Sequence, residues 1–307
     1  MILELSTRER RRLTFGRASA GMRIFIIGVA QKVLIADEVA RIAEAVFDKV
    51  GQPSLLEAWL GLGAYTIQIY FDFAGYSNMA IGLGLALGFA FPRNFRLPYT
   101  ASSITDFLRR WHISLSQWLR DYLYIPLGGS RGSTVETYRN LWLVFLLCGL
   151  WHGANWTFVL FGFLHGCFFI PLILRGTLNK KRKSTTLSAI PTAKELANML
   201  FTYSLVVLSV VAFRSETVVD AMQYFQRMAS PSLFSIPVVT RKGLAALTFA
   251  LVFVLLILEW LNRDKPYAIQ RLGLNWPRPI RWSFYYLGVL FMFFFAGLGQ
   301  TFIYVQF

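Results

Sequence analysis

Long apolar runs separated by short polar stretches dominate the pattern along this 307-residue chain. A helix of about 20 apolar residues is long enough to cross the hydrocarbon core of a bilayer. The pattern therefore predicts an all-α, polytopic integral membrane protein with about five to seven spans. The predicted spans are 55–71, 80–91, 141–174, 196–213, 244–261 and 284–305. Run 141–174 fits either two short spans or one span with a re-entrant segment.

Other stretches fit helices at the membrane surface. Run 21–36 is short and contains two basic residues, so it fits an interfacial or tilted helix as well as a span. Residues 104–122 carry apolar side chains at helical spacing, with Arg109 and Arg120 on the opposite side, and predict one continuous amphipathic helix. Residues 217–228 predict a second, shorter one. The expected fold is a bundle or ring of transmembrane helices with interfacial amphipathic helices.

Two details of the apolar runs bear on packing. Run 80–91 is rich in glycine, which allows close approach between helices in lipid, and Pro92 is expected to end it. Cys148 and Cys167 both lie inside apolar runs. They are interpreted as small apolar side chains rather than as a disulfide or a metal-binding pair.

Composition agrees with a membrane protein, because 55% of the residues are hydrophobic and only 15% are charged. The net charge is +15. The basic residues concentrate in the loops 92–139, 175–194 and 263–281, between apolar runs. That arrangement predicts cytoplasmic loops near anionic lipid headgroups and argues against a nucleic-acid partner. Run 141–174 must then enter and leave the membrane on the same side.

His152 is the leading candidate for chemistry. It lies in Leu-Trp-His-Gly-Ala-Asn-Trp, well inside the apolar run 141–174. At 1.5 Å per residue, this position is roughly 16 Å deep, near the middle of the hydrocarbon core. An ionisable side chain at that depth is a functional-site hypothesis by default. Gly149 and Gly153 leave room beside it, and Asn155 is expected to fix its tautomer. The alternative is a neutral histidine bonded to a neighbouring helix.

The other candidates are less specific. His112 lies on the predicted interfacial helix, between Trp111 and an arginine pair, where a headgroup contact is an equally simple explanation. His165 is more typical of a packing hydrogen bond. Asp72 follows an apolar run and is expected to pair with an arginine of the 93–120 segment or to line a polar cavity.

Any reaction must be one that a histidine can catalyse with few other catalytic groups. The sequence contains no Walker A loop, dinucleotide glycine motif, G-x-S-x-G elbow, HExxH motif or Cys/His metal set. A neutral imidazole is a natural general base for removing a proton from a hydroxyl that attacks an acyl group. These observations indicate acyl transfer, while proton relay or transport stays open.

Three long motifs resemble those of the membrane-bound O-acyltransferases, in the same order. They are YFDFAGYSNMAIGLG at 70–84, the stretch from NFRLPYT to IPLGGSRG at 94–132, and LWHGANWTFVLFGFLHG at 150–166. The resemblance covers nearly the whole chain and is greatest to the branch typified by alginate O-acetyltransferases. The branch that loads D-alanine onto teichoic acid shares fewer of these elements.

The resemblance implies that acetyl moves from a cytoplasmic donor, expected to be acetyl-CoA, toward hydroxyls of an extracytoplasmic polysaccharide. No bound cofactor or metal is expected. The family's catalytic histidine matches His152, and its second prominent histidine matches His112. Supporting or substrate-binding roles are predicted for Trp111, Arg110, Arg120, Asp72, Trp151 and Asn155. The expected location is the inner membrane, where the lipid bilayer and extracytoplasmic acetylation proteins are the partners.

Family members are usually longer than this chain. Residues 1–307 are therefore expected to be the C-terminal portion of a single membrane domain, with the first histidine motif in 94–132 and the second in 141–174. The chain can be a fragment, have a misassigned start or be naturally short. The competing hypothesis is a non-catalytic truncated paralogue or an export component of a polysaccharide-modification system.

Overall fold

The computed structural model describes residues 14–47, 54–176, 178, 191–229, 242–261 and 276–295, and every regular element in these ranges is helical. The α-helices are α1 (Phe15–Ala30), α2 (Asp37–Phe47), α3 (Leu55–Leu87), α4 (Ile104–Leu108), α5 (Ile113–Leu119), α6 (Thr134–His152), α7 (Trp156–Leu174), α8 (Ala193–Arg214), α9 (Val218–Met228), α10 (Lys242–Leu261) and α11 (Arg278–Phe295). Two π-helical turns, Gln31–Ala36 and Arg120–Tyr124, and one 3₁₀ turn, Pro98–Thr100, complete the set.

Within the described ranges, three helical stretches are long and apolar enough to cross a membrane. They are Phe15–Phe47, Trp156–Leu174 and Ala193–Arg214, and Ala246–Leu261 is a shorter apolar helix. The prediction of an all-helical membrane protein is confirmed. Most of the loops 175–194 and 263–281, and residues 296–305 of the last run, lie outside the described residues. The number of spans stays a prediction.

The helices form two compact units. The first contains α1, α2, α10, α11 and the part of α3 within Gly63–Asn94. In it, α1 and α3 meet at glycines, with Gly21 facing Gly82 and Gly28 facing Gly75. A Cβ atom on Gly28 would lie only 2.5 Å from the carbonyl oxygen of Gly75. Gly82 thus confirms the close helix approach predicted for run 80–91.

A charged cluster lies at the π-helical turn that follows α1. Lys32 Nζ is 2.6 Å from Asp72 Oδ1 and 2.8 Å from Asp37 Oδ1, and the Asp72 side chain is only 2% exposed. Beside them, Asn78 Nδ2 donates to Gln31 Oε1 at 2.7 Å. Mutual pairing is what allows charged side chains to lie inside a membrane helix bundle. Asp72, expected to pair with an arginine of the 93–120 segment, therefore has a lysine partner on the first long helix.

The prediction of separate spans at 55–71 and 80–91 is wrong, because the first run and residues 80–87 of the second belong to the single helix α3. The polar side chains of Asp72 and Asn78 do not interrupt it, since both bond to residues of the π-helical turn. The helix also ends earlier than predicted, at Leu87 rather than at Pro92. Gly88, at φ +90°, adopts the left-handed backbone that commonly closes a helix.

The second unit comprises Pro53–Leu62 and Phe95–Ile236 and is built on α6 and α7. These helices run antiparallel, because Gly149 lies against Phe158 and Gly162 lies against Phe145. A Cβ atom on either glycine would overlap the carbonyl oxygen of the facing phenylalanine, so only glycine fits. Run 141–174 therefore forms two helices, which start and finish at the same end, as the charge pattern predicts.

The amphipathic helix predicted over 217–228 is confirmed as α9. Thr217 and Asp220 form a capping box at its start, which satisfies free backbone N–H groups. On its buried side, the Tyr224 hydroxyl donates to the carbonyl oxygen of Ala58 at 2.7 Å. That bond fixes α9 against the first turn of α3 within the same unit.

Candidate functional site

The amphipathic helix predicted over 104–122 is broken at His112. Helix α4 ends at Leu108 and α5 begins at Ile113, and His112 between them has φ 43° and ψ 56°. This left-handed backbone costs an L-amino acid roughly 1–2 kcal/mol, and residues outside glycine hold it mainly where the surrounding structure enforces it. In the sequence pattern, only Ile113 departs from the apolar face at this point, and one misplaced apolar residue does not by itself predict a break.

Trp111 and Arg110 hold the broken segment in place. The Trp111 ring packs at centroid distances of 5.1 Å from Phe95 and 5.5 Å from Phe107. The Arg110 guanidinium bonds to the Asp106 carboxylate at 3.0 and 2.9 Å. Both residues were predicted to support the site, and in the structure they fix the turn that carries His112.

His152 is the last residue of α6. The helix stops there because Gly153 takes up an extended conformation, with φ 163° and ψ 157°. A Cβ atom on Gly153 would lie 2.5 Å from Cε2 of Phe158, so a larger residue would collide with that ring. The imidazole is thus placed at a helix end, beside the tip of the α6–α7 hairpin.

Asn155 lies at the start of α7 and forms two hydrogen bonds there. Its Oδ1 accepts the backbone N–H of Thr157 at 3.2 Å and caps α7, while its Nδ2 donates to the carbonyl oxygen of Glu216 at 2.9 Å. The amide is therefore engaged at both ends. These bonds join the hairpin tip to the start of α9, and a role for Asn155 in fixing the tautomer of His152 stays a prediction.

Trp151 brings the two histidines together. Its ring centroid lies 4.9 Å from that of His152 and 6.1 Å from that of His112, with edge-to-face geometry in both contacts. The two imidazole centroids are therefore at most about 11 Å apart. Trp151 is 54% exposed, so one side of it is open beside the histidines. The structure thus places both imidazoles against the same indole.

Three phenylalanine rings lie beside His152. The centroid distances are 5.1 Å to Phe213, 5.7 Å to Phe161 and 6.4 Å to Phe158. Phe158 and Phe213 are buried. We call Phe158, Phe161 and Phe213 the aromatic collar; it gives the half-buried imidazole an apolar wall, and electrostatic interactions are stronger in such low-dielectric surroundings than in water.

His112 is neutral at physiological pH. Burial lowers the pKa of its imidazole from the ordinary value of 6.5 to about 4, because a buried site disfavours the charged form. A neutral ring can accept a hydrogen bond through one nitrogen and donate through the other. His112 is therefore suited to orienting a polar ligand rather than to presenting a fixed positive charge.

Two other predicted residues, Arg120 and Asp72, each have a charged partner. Arg120 is exposed and pairs with its neighbour Asp121 at 2.8 Å. Asp72 belongs to the first unit, where Lys32 holds it. The collar residues were missed because phenylalanines are abundant in apolar runs, and no local motif distinguishes those near a histidine.

Comparison with known proteins identifies the family. The family model of the membrane-bound O-acyltransferase family matches residues 6–211, which contain both histidine motifs. This chain belongs to the membrane-bound O-acyltransferase family. The match confirms the family and branch that the sequence motifs resemble, because the curated relatives include proteins named for alginate O-acetylation.

Three curated relatives are named for the acetylation of two different polymers. A probable alginate O-acetylase from Azotobacter vinelandii is 48% identical over 71% of this chain and 41% of its own length. A namesake from Pseudomonas aeruginosa is 45% identical over 79% of this chain and 45% of its own. A peptidoglycan O-acetyltransferase from Helicobacter pylori is 32% identical over 100% of this chain and 60% of its own length. The chain thus spans about half the length of these relatives.

Proposed function

We propose that this chain provides the histidine site of a membrane-bound O-acyltransferase that transfers acetyl groups to hydroxyls of a polysaccharide. The observation that carries the proposal is the placement of His112 and His152 on one half-exposed indole, Trp151. Such a pair can serve both reactants of an acyl transfer, with one imidazole for the hydroxyl and the other for the acyl donor. Relatives named for polysaccharide O-acetylation support the choice of reaction.

In the proposed reaction, His152 acts as a general base. A ring nitrogen takes the proton of the acceptor hydroxyl while its oxygen attacks the carbonyl carbon of the acetyl thioester. The tetrahedral intermediate then collapses, the carbon–sulfur bond breaks, and the imidazolium returns the proton to the departing thiolate. His112, neutral and half-buried, orients the donor through a hydrogen bond. The products are an O-acetylated sugar and a free thiol.

The proposal extends to donor, partners and location. Acetyl-CoA is the proposed donor, because it is a cytoplasmic acetyl thioester and the basic loop 92–139 is expected to face that compartment. The acceptor lies across the inner membrane, where further acetylation proteins would receive or guide the polymer. We also propose that residues 1–307 form the C-terminal portion of one membrane domain, to which both histidine motifs belong.

The function can be tested with inverted membrane vesicles that contain the full-length protein. Radiolabelled acetyl-CoA is added from the cytoplasmic side, with alginate or peptidoglycan fragments enclosed, and labelled ester is measured after separation from the thioester. Vesicles with the protein should form alkali-labile polymer ester, while vesicles without it should not. Absence of labelled ester with both polymers, alongside vesicles of an active alginate O-acetylase, would support the competing role in export.

The orientation gives a further prediction. Val135, 76% exposed near the start of α6, and Val219, 64% exposed on α9 beside the hairpin tip, are expected on opposite sides of the membrane. Each is replaced by cysteine in a protein whose Cys148 and Cys167 have become alanine. An impermeant maleimide added to intact cells should label the Val219→Cys protein and should label the Val135→Cys protein only after permeabilisation. The reverse pattern would invert the orientation.

A further inference from the structure

His165 lies behind the proposed site, and its hydrogen bonds determine which ring nitrogen carries the proton. It is buried on α7, and its Nε2 atom lies 3.1 Å from Oγ of Ser209 on α8. The Ser209 hydroxyl has a single proton, which it donates to the carbonyl oxygen of Val206 at 2.7 Å. Ser209 must therefore accept from His165, and the imidazole carries its proton on Nε2.

The other ring nitrogen of His165 confirms a neutral side chain. Its Nδ1 atom is buried and has no hydrogen-bond partner among the described residues. A proton on Nδ1 would leave a charged ring with an unsatisfied donor in an apolar setting, at high cost. His165 is therefore locked in one tautomer and one orientation by the bond between α7 and α8.

One phenylalanine separates this fixed imidazole from His152. The Phe161 ring centroid lies 4.6 Å from that of His165 and 5.7 Å from that of His152, edge-to-face in both contacts. Phe161 also packs on Phe213 at 5.3 Å, and Phe213 packs on His152 at 5.1 Å. Movement of His165 would therefore act directly on Phe161, which contacts both His152 and Phe213.

We propose that His165 is a positioning residue, which together with Ser209 sets the orientation of His152 through the Phe161 ring. This inference rests on the proposed function, in which the His152 imidazole is the general base. A role confined to joining α7 and α8 would affect only the amount of folded protein. Positioning additionally requires that loss of the Ser209 bond change the state of His152 in molecules that remain folded.

The first readout is the ¹⁵N spectrum of [¹⁵N]histidine-labelled full-length protein, and it does not depend on activity. The chain has three histidines, so substitution of each in turn assigns its signals. Ser209→Ala should shift the signals of both His165 and His152, and His165→Phe should shift those of His152. The matched control is Thr202→Val, which removes another buried α8 hydroxyl, bonded only within its own helix to the Asn198 carbonyl oxygen.

The second readout is steady-state acetyl transfer. Ser209→Ala and His165→Phe should lower kcat by about 10- to 10²-fold with KM unchanged, because small misplacements of a reacting group carry penalties of this size. Ser209→Thr, which keeps the hydroxyl, should retain most of the rate, and Thr202→Val should match wild type.

His152 signals that stay in place in both removal variants would overturn the positioning role, whatever the protein acetylates. Shifted His152 signals in a protein that acetylates neither polymer would support positioning and refute the proposed function. The two failures are thus separable.

Discussion

His152→Gln should abolish nearly all acetyl transfer while the protein still inserts and folds. Glutamine keeps hydrogen-bonding groups of similar reach, but it cannot take up and release a proton near neutral pH. Positioned proton transfer typically contributes 10²- to 10⁴-fold to a rate, so kcat should fall by about that factor. The measurement is labelled ester formed per folded molecule in vesicles, with the amount of folded protein taken from size-exclusion chromatography in detergent.

The matched control is Gln223→Ala, on the exposed side of α9. It should leave the rate of ester formation and the amount of folded protein at wild-type values. An undiminished rate in the His152→Gln protein would show that the imidazole is only a packing group, and the general-base mechanism would have to be abandoned. His112→Gln should have the smaller effect of the two, because donor orientation is shared with the rest of the site.

Lys32→Met should remove most of the folded protein from the membrane. The substitution leaves Asp72, which is 2% exposed, without the ammonium group 2.6 Å from its carboxylate. Removing one partner of a buried ion pair typically costs about 3–5 kcal/mol, because the other charge stays buried without compensation. The measurement is the fraction of detergent-solubilised protein that elutes as a single folded species, together with its melting temperature.

Two further variants test whether the unpaired charge causes the loss of folded Lys32→Met protein. Lys32→Met combined with Asp72→Asn should recover part of the folded fraction, since the amide at the more buried position needs no counter-ion, while Asp37 still loses the lysine. Lys194→Met, at an exposed lysine in the first turn of α8, should have no effect. Equal instability of the single and double variants would contradict the electrostatic explanation and point to lost packing by the lysine stem.

The sequence predicted the helices where apolar periodicity alone determines them. Helices α8 and α9 were placed within a few residues of their observed ends, because a span and a short amphipathic helix each have a distinct pattern. The division of 141–174 was left open, since Gly153 in an apolar run does not by itself show that Phe158 would collide with a larger residue.

Long-range pairing was hidden from the sequence. A stretch containing Asp72 and Asn78 was expected to end a span, yet α3 continues through it because Lys32 and Gln31 bond to those side chains. These partners lie on another helix, and periodicity carries no information about them. In the same way, both histidine motifs were recognisable, whereas the shared contact with Trp151 and the collar contact with Phe213 required coordinates.

The left-handed backbone at His112 sets local stability against the function that we propose for this side chain. Glycine would adopt φ 43° without the penalty that every L side chain incurs there, and random substitution toward glycine would therefore favour the folded state locally. A screen for thermostable variants would be expected to recover glycine at this position, at the expense of the imidazole beside Trp151. Selection for stability alone would thus tend to erase the site, and engineering of this protein should hold residue 112 fixed.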